Sequence, residues 1–413
     1  MSAATLAASP RPPAGQRLMS LDALRGFDMF WIMGGDALAS SLNKVAHGNP
    51  VVEKLTDQLE HVEWAGFRFY DLIFPLFVFI VGVSLVFSLT RLIAEQGRGA
   101  ALKRVCVRSA LLFVVALLYS GGFSNDWPNI RLLGVLNRIA LCYFFASVVF
   151  CFCKWRGIAA VAVALLVGYW ALMTFVPFPD VRRVDANGQL LSAAPNITNA
   201  TSVAQLNWAT TNTVKGVFGS GFNLANYVDA KYLPGKKWEK TWDPEGILST
   251  LPAVGTCLLG VLAGLLLRGG GLREHAKVAA LLGGGAVLVA LGCLWGLQFP
   301  VVKKIWTSSY VLVAGGFSAM LLGTFYFIID VQGWQRWCQP FVWYGMNAIT
   351  VYLADNLLSF RKVASRFLGG DVRVFFDTQV GEGFGDLMLS FGEIGVGVAL
   401  GWVLYRRKIF LRL

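Results

Sequence analysis

The sequence predicts an all-α, polytopic membrane helix bundle, and composition and hydropathy are the observations that predict it. Only 15% of the 413 residues are charged whereas 56% are hydrophobic, and the mean hydropathy is +0.58. A water-soluble domain carries roughly 25% charged residues, so this composition is typical of a chain embedded in a bilayer. The net charge of +12 does not indicate a nucleic-acid binder, because a basic groove needs a polar face that the chain mostly lacks.

Apolar runs long enough to cross a membrane recur along the chain. A hydrocarbon core of about 30 Å needs about 20 apolar residues per helix. We therefore predict about ten transmembrane helices, at residues 19–40, 67–90, 105–123, 133–153, 158–176, 247–267, 278–298, 310–330, 341–359 and 386–405. The first span carries Asp22, Arg25, Asp28 and Asp36, so we expect it to face protein or water inside the bundle rather than lipid.

The distribution of Lys and Arg between the short loops predicts the orientation. Six segments hold 16 Lys and Arg against two acidic residues: 1–18, 91–104, 154–157, 268–277, 331–340 and 406–413. Positive residues concentrate in cytoplasmic loops, so these segments and both termini are predicted to be cytoplasmic. The long 177–246 segment is predicted to form one large extracytoplasmic loop or cap.

These assignments divide the chain into five regions. Residues 1–18 form the predicted N-terminal tail and 406–413 the basic C-terminal tail. Helices 1–5, with the loop that contains His61, occupy 19–176, and helices 6–10 occupy 247–405. The extracytoplasmic segment 177–246 separates the two halves.

A polar stripe runs along the first predicted helix. Asp22, Arg25 and Asp36 fall on one face at the α-helical period, with Arg25 near the cytoplasmic end and Asp36 near the outer end. Asp22 and Arg25 could simply neutralise each other at spacing i, i+3. That pairing leaves Asp36 unexplained, since it lies about 16 Å further along the helix.

His61 lies between two acidic residues, Glu60 and Glu63, immediately before the second span at the predicted outer face. A neutral imidazole is the usual general base near pH 7, and a carboxylate on its other nitrogen would orient it. Asp36 is assigned to the same level, so we predict His61 and Asp36 as the catalytic residues. A purely structural histidine at the interface is the alternative.

Six further polar residues lie at membrane depth or at a span end, and we predict that they bind substrate: Asp71, Asn137, Arg138, Glu245, Asn347 and Asp355. Glu245 belongs to the run Asp243-Pro244-Glu245-Gly246, in which Asp243 and Pro244 are explained as an N-cap and a first helical position. Several acids at the outer face would suit a cationic or polyhydroxylated substrate there, and Arg25 would suit an anionic partner inside.

Five blocks of sequence occur in a characteristic order. They are Arg17-Leu-Met-Ser-Leu-Asp-Ala-Leu-Arg-Gly26, His61-Val-Glu-Trp-Ala-Gly66 with Asp71-Leu-Ile-Phe-Pro75, Gly134-Val-Leu-Asn-Arg138, Asp243-Pro-Glu-Gly246 and Tyr344-Gly-Met-Asn347. Together they resemble the heparan-alpha-glucosaminide N-acetyltransferase family, from residue 17 to about residue 356, including Pro300–Trp306. The chain resembles a compact bacterial form without the N-terminal lumenal domain, which implies a multi-pass protein of the bacterial inner membrane.

The resemblance also implies an activity. Family members take an acetyl group from cytosolic acetyl-CoA and pass it to the amine of a terminal glucosamine across the membrane. The resemblance also suggests that the chain forms a homodimer. The family's active-site His matches His61. Its accompanying Asn matches position 36, where this chain has Asp36. A carboxylate orients and charges an imidazole differently from an amide, so the family's site chemistry does not transfer directly.

Acetyl-CoA carries phosphates, so we expect its nucleotide at the inner rim, near Arg25, Arg17 and Arg104. Its pantetheine arm would lie between helices and place the thioester near His61. No metal is expected, since Cys151-Phe152-Cys153 lacks metal-ligand spacing.

Two other functions are compatible with the same features. A transporter for a small sugar also uses polar, interrupted spans, although no inverted repeat is evident in the sequence. An O-acetyltransferase of a cell-envelope glycan would follow the same two-sided logic. His61 could act as a general base or form an acetyl-His intermediate, and the sequence alone supports both.

Overall fold

The computed structural model of the chain describes residues 18–45, 48–182, 200 and 202–410. Its α-helices are α1 (Met19–Val45), α2 (Pro50–Gln58), α3 (Ile73–Tyr119), α4 (Val135–Phe152), α5 (Trp155–Phe175), α6 (Leu224–Tyr232), α7 (Thr250–Arg268), α8 (Glu274–Gly296), α9 (Ser308–Phe325), α10 (Gln339–Met346), α11 (Ala348–Leu358), α12 (Phe360–Leu368), α13 (Asp371–Gln379) and α14 (Phe384–Arg406). Short 3₁₀ turns cover Phe69–Leu72, Gly122–Ser124, Trp127–Asn129 and Val203–Gln205, and a π turn covers Tyr326–Val331.

Seven helices among the described residues are long and apolar enough to cross a membrane: Phe69–Tyr119, Val135–Phe152, Trp155–Phe175, Thr250–Arg268, Glu274–Gly296, Ser308–Val331 and Phe384–Arg406. The prediction of a polytopic helical membrane protein is therefore supported. Ten crossings with both termini inside stay a prediction.

Three features account for the difference between seven helices and ten predicted spans. The second and third predicted spans lie within Phe69–Tyr119, a helix that is broken at Gly97, where φ is 82° and ψ is 171°. The first predicted span is helical as α1 but contains charged side chains such as Asp22, Arg25 and Asp28. The ninth is not one helix, because Asn347 separates α10 from α11.

Helix α3 packs closely against α4 and α7. A Cβ on Gly82 of α3 would lie 2.0 Å from the carbonyl oxygen of Cys257, and one on Gly260 of α7 would lie 2.0 Å from that of Phe79. Small residues let helix backbones approach where no hydrophobic effect drives association. These glycines therefore set the distance between α3 and α7, and both ends of α3 line the cavity described below.

Two predicted loops contain helices. In 41–66, α1 continues to Val45 and is followed by α2, and in 360–385 the chain forms α12 and α13. These short amphipathic helices lack the apolar length of a span, which is why hydropathy alone treats them as loops.

The predicted cap, 177–246, contains two small antiparallel pairs and one helix in its described part. Strand β1 (Phe178–Pro179) pairs with β2 (Thr213–Val214), and β3 (Phe218–Gly219) pairs with β4 (Phe222–Asn223). The helix α6 follows β4, with Asn223 capping its N-terminus. The indole N–H of Trp64 donates to the carbonyl oxygen of Phe218 at 2.8 Å, which ties the cap to the segment that carries His61.

Candidate active site

The centre of the site is a histidine–carboxylate pair, His61 and Asp71. His61 Nδ1 lies 2.9 Å from Asp71 Oδ1, and Asp71 is only 1% exposed. The other oxygen, Oδ2, accepts the backbone N–H groups of Val62 at 3.3 Å and Arg68 at 3.1 Å. A carboxylate only accepts hydrogen bonds, so the proton of the neutral ring sits on Nδ1. Nε2 then carries the lone pair, on a side chain that is 49% exposed.

The local chain path explains why these two residues meet. Between them the chain turns back, and Asp71 lies in the 3₁₀ turn Phe69–Leu72 that leads into α3. The Tyr310 hydroxyl of α9 donates to the backbone carbonyl of Asp71 at 2.8 Å. The ring of Tyr70 packs against the His61 ring with centroids 4.7 Å apart. Tyr310 therefore holds the turn in place from the core, and Tyr70 supports one face of the imidazole.

Lys303 is the third polar group at this centre. Its Nζ lies 2.9 Å from His61 Nδ1, 3.2 Å from His61 Nε2 and 3.4 Å from Asp71 Oδ1. Its loop is held against the His61 segment, since the Gly66 N–H donates to the carbonyl of Val301 at 2.9 Å. Burial lowers the pKa of the Lys303 ammonium, and the charge of Asp71 opposes that decrease.

A cavity of about 690 Å³ opens beside this centre, a size that suits a small ligand or part of a larger one. Its polar lining residues are Asp36, His61, Glu63, Tyr70, Tyr119, Ser120, Arg131, Asn137, Arg138, Glu239, Glu245, Lys303, Lys304 and Tyr352. Its apolar wall includes Met29, Ile32, Phe74, Phe77, Trp238, Trp306 and Ile349. Polar groups and an apolar wall in one concave space are the usual features of a ligand site.

Ion pairs join the loops around the cavity. Arg131 Nη2 lies 2.7 Å from both Asp243 Oδ1 and Glu245 Oε2, and Lys304 Nζ lies 2.7 Å from Glu239 Oε1. Burial lowers the pKa of Arg131, but Asp243 and Glu245 more than offset this effect and hold the pKa above its ordinary value. Burial raises the pKa of Glu245, against the opposing charges of the arginines.

Arg138 forms a buried positive wall of the same cavity. It is 1% exposed, and its guanidinium lies over the Trp306 ring, 4.9 Å from the centroid. Nη2 donates to the carbonyl of Pro244 at 2.8 Å and to Ser249 Oγ. Nε and Nη1 have no hydrogen-bond partner among the described residues, so the arginine retains unused donors.

Comparison with known proteins finds two curated relatives that are similar over most of this chain. No protein-family model matches the chain. The human heparan-alpha-glucosaminide N-acetyltransferase is 26% identical over 395 residues, which cover 86% of this chain and 56% of the human protein. The mouse protein of the same name is 25% identical over 396 residues, with the same coverage. The chain is therefore similar to heparan-alpha-glucosaminide N-acetyltransferases from two mammals. The chain spans about half the length of the curated relatives it matches.

The carboxylate that contacts His61 differs from the one predicted. Asp36 was expected to orient the imidazole, but Asp71 holds that place. Asp36 lines the cavity and interacts with Tyr70, whose ring packs on His61. Helix geometry put Asp36 at the right height, but the residues after His61 turn back and bring Asp71 closer. Asp36 stands at the position where the resembled N-acetyltransferase family has an Asn. In this structure the side chain of Tyr70 lies between Asp36 and His61.

The other predicted substrate residues divide into two groups. Asn137, Arg138 and Glu245 line the cavity, although both ends of the Asn137 amide are hydrogen-bonded, to Gly134 N and to the carbonyl of Phe113. Asp355 does not line it, and its Oδ1 accepts the Phe360 N–H at 2.8 Å, at the start of α12.

Asn347 also lies outside the cavity lining of the described chain. It separates α10 from α11, is 2% exposed, and its amide has no hydrogen-bond partner among the described residues.

The residues predicted to bind acetyl-CoA at the inner rim are not in the described cavity lining. Arg25 pairs with Asp22 at 3.2 Å and donates to Ser84 Oγ at 2.6 Å. Arg104 is exposed on α3, and Arg17 lies outside the described residues. The binding of acetyl-CoA by these three arginines stays a prediction. Among the described residues, no group of three or more His, Cys, Asp or Glu is arranged to hold a metal ion.

Sequence reasoning missed Lys303, Arg131 and Tyr70. Lys303 belongs to the Pro300–Trp306 stretch that resembles the N-acetyltransferase family. That resemblance was the one feature of the sequence that could have indicated a role for Lys303. Trp306 in the same stretch has a φ of 51°, a left-handed conformation that is rare for a bulky residue. Its indole N–H donates to Thr256 Oγ1 at 3.1 Å, so the loop conformation is held by the core.

Proposed function

We propose that this protein is a transmembrane acetyltransferase that moves an acetyl group from cytosolic acetyl-CoA to the amine of glucosamine or of a glucosamine-terminated glycan on the outer side. The observation that carries the proposal is the His61–Asp71 pair, with an accessible imidazole, at a mixed polar and apolar cavity in a membrane helix bundle. The names of the human and mouse relatives support the reaction class.

The proposed topology has ten crossings, cytoplasmic termini and a location in a bacterial inner membrane. Arg17, Arg25 and Arg104 are the proposed contacts of the CoA nucleotide on the cytoplasmic side, and a homodimer is proposed from the family resemblance. The pantetheine arm would enter between α1, α3 and α4, whose side chains Met29, Phe77 and Ile139 line the cavity.

In the proposed mechanism, the neutral amine of the acceptor attacks the thioester carbonyl carbon of acetyl-CoA. His61 Nε2 accepts the proton that the amine loses as the C–N bond forms. Asp71 orients the ring through Nδ1–H and stabilises the imidazolium. When the tetrahedral intermediate collapses, the C–S bond breaks, and the leaving CoA sulfur takes the proton from His61.

The same nitrogen could instead attack the thioester and carry the acetyl group. This route would release CoA before the acceptor reacts and would give ping-pong kinetics. Direct transfer needs both substrates together and gives sequential kinetics. Initial rates measured with both substrates varied separate these two routes for the same His61.

The experiment that tests the proposal is a sided assay in proteoliposomes. Radiolabelled acetyl-CoA is supplied on one face and glucosamine on the other, and labelled amide and labelled ester products are distinguished by their stability to mild base. We expect a labelled amide that survives mild base and that forms only when the protein is present. A labelled ester would instead support O-acetylation, and glucosamine flux without acetylation would support a transporter.

A further inference from the structure

Lys303 has hydrogen-bonding capacity that the residues around it do not use. An ammonium group has three N–H donors. Nζ lies 2.9 Å from His61 Nδ1, 3.2 Å from His61 Nε2 and 3.4 Å from Asp71 Oδ1. In the proposed mechanism Nδ1 donates its own proton to Asp71 and Nε2 accepts the proton of the amine, so Asp71 is the acceptor that Lys303 keeps, and at least one N–H is left for another group. The side chain is 20% exposed and lines the cavity. The ammonium can therefore reach a ligand beside His61.

The other cations of the cavity are less suited to that place. Lys304 is engaged with Glu239 at 2.7 Å, and Arg131 is engaged with Asp243 and Glu245. Arg138 is 1% exposed and is held through Nη2 and by stacking on Trp306. Only Lys303 among these four is within hydrogen-bonding distance of the His61 ring.

We propose that Lys303 donates a hydrogen bond to the carbonyl oxygen of the acetyl thioester and stabilises the oxyanion that forms when the amine attacks. This inference rests on the proposed acetyl transfer. Negative charge grows on that oxygen as the C–N bond forms and leaves with the CoA sulfur as the C–S bond breaks, so no proton needs to move from Lys303. A fixed cation aimed at developing charge is among the strongest sources of rate enhancement.

The environment of Lys303 predicts a readout that a merely structural lysine would not affect. The group must be protonated to stabilise an oxyanion, and burial lowers its pKa. The charged and titratable groups that face it are Asp71 and His61 from the segment before α3, Glu245 from the segment before α7 and Asp36 from α1. The rate should therefore fall on the alkaline side, at a lower pH than for an ordinary lysine.

The test uses Lys303→Met and Lys303→Arg in the full-length protein. Lys303→Met should lower kcat by about 10²–10³, with little change in the KM for acetyl-CoA, and should lose the alkaline decrease. Lys303→Arg should keep part of kcat and move the alkaline decrease to higher pH, because arginine stays protonated. Lys237→Met is the matched control, since burial lowers the pKa of Lys237 as it does for Lys303, but Lys237 does not line the described cavity.

Binding of S-ethyl-CoA, a thioether without the carbonyl, reports on folding and on the rest of the donor site. Equal affinity in wild type and Lys303→Met, together with the loss of kcat, supports the proposal. Any one of three results overturns the proposal: a near-normal kcat in Lys303→Met, an unchanged alkaline decrease of the rate in Lys303→Arg, or a loss of kcat in Lys237→Met as large as in Lys303→Met. A wild type that transfers no acetyl group refutes the proposed function instead.

Discussion

At the residue scale, the proposed chemistry depends on which carboxylate serves His61. The sequence predicted His61 as the base and the outer face as its location, and the structure brings other polar residues together around His61. It did not predict Asp71 as the partner, because the turn between His61 and Asp71 is set by contacts from α9, through Tyr310. Lys303 lies 242 positions from His61, a separation across which spacing carries no information.

Exchanging the two carboxylates for amides separates their roles. Asp71→Asn should lower kcat by at least about 10²-fold, since general base catalysis contributes about 10²–10⁴ and an amide can stabilise the wrong tautomer of His61. Asp36→Asn leaves the His61–Asp71 contact in place, so the pH at which activity rises should stay where it is in wild type. A displaced pH profile in Asp36→Asn with an unchanged one in Asp71→Asn would reverse the assignment.

At the element scale, hydropathy located the long helices well and the interrupted ones poorly. Gly97 breaks Phe69–Tyr119 into two runs, each close to a predicted span, and this break could be anticipated from the basic segment 91–104 between them. The division at Asn347 could not, because apolar residues continue on both sides of it and give the hydropathy of a single span. The short amphipathic helices α12 and α13 also escaped prediction, since their stability comes from packing, as in the contact of α12 with α14.

The contact between α3 and α7 gives a prediction about stability. Gly82→Ala places a methyl group against the Cys257 carbonyl, and such overpacking costs about 1–3 kcal/mol. We expect a lower thermal midpoint in detergent. Gly99→Ala is the control on the same helix, because a Cβ there meets nothing within 4 Å. Equal midpoints for the two variants would show that the helices do not depend on this close approach.

At the scale of the whole molecule, the site is assembled from distant parts of the chain. His61, Arg131, Glu245 and Lys303 come from four segments that were predicted to lie on the outer side, and all four line one cavity. Their meeting is consistent with the predicted topology. The ion pairs of Arg131 and Lys304 connect the cap to the bundle around that cavity, so the stability of the cap and the shape of the site are linked.

Asp229 of α6 makes this link dependent on pH. It is 1% exposed, accepts the Ile247 N–H at 2.8 Å, and burial raises its pKa to about 7. A raised carboxyl pKa means that folding favours the protonated form, so this stabilising contribution is complete below about pH 4 and is lost as the pH rises through about 7. A tenfold difference in proton affinity between the folded and unfolded chains corresponds to about 1.4 kcal/mol.

We therefore expect the wild-type thermal midpoint to fall between about pH 5 and pH 8. Asp229→Asn keeps an oxygen for the Ile247 N–H but cannot ionise, so its midpoint should change less over that range. Parallel curves for the two proteins would exclude Asp229 as the group responsible.

The central claim is that His61 carries out acetyl transfer across the membrane. The most direct measurement compares wild type, His61→Ala and His275→Ala in the sided proteoliposome assay. His275 is an exposed histidine beside Phe327 and lies outside the described cavity lining. We predict acetylated glucosamine on the face opposite acetyl-CoA for wild type and His275→Ala, and none above background for folded, inserted His61→Ala. Near-normal transfer by His61→Ala would contradict the claim.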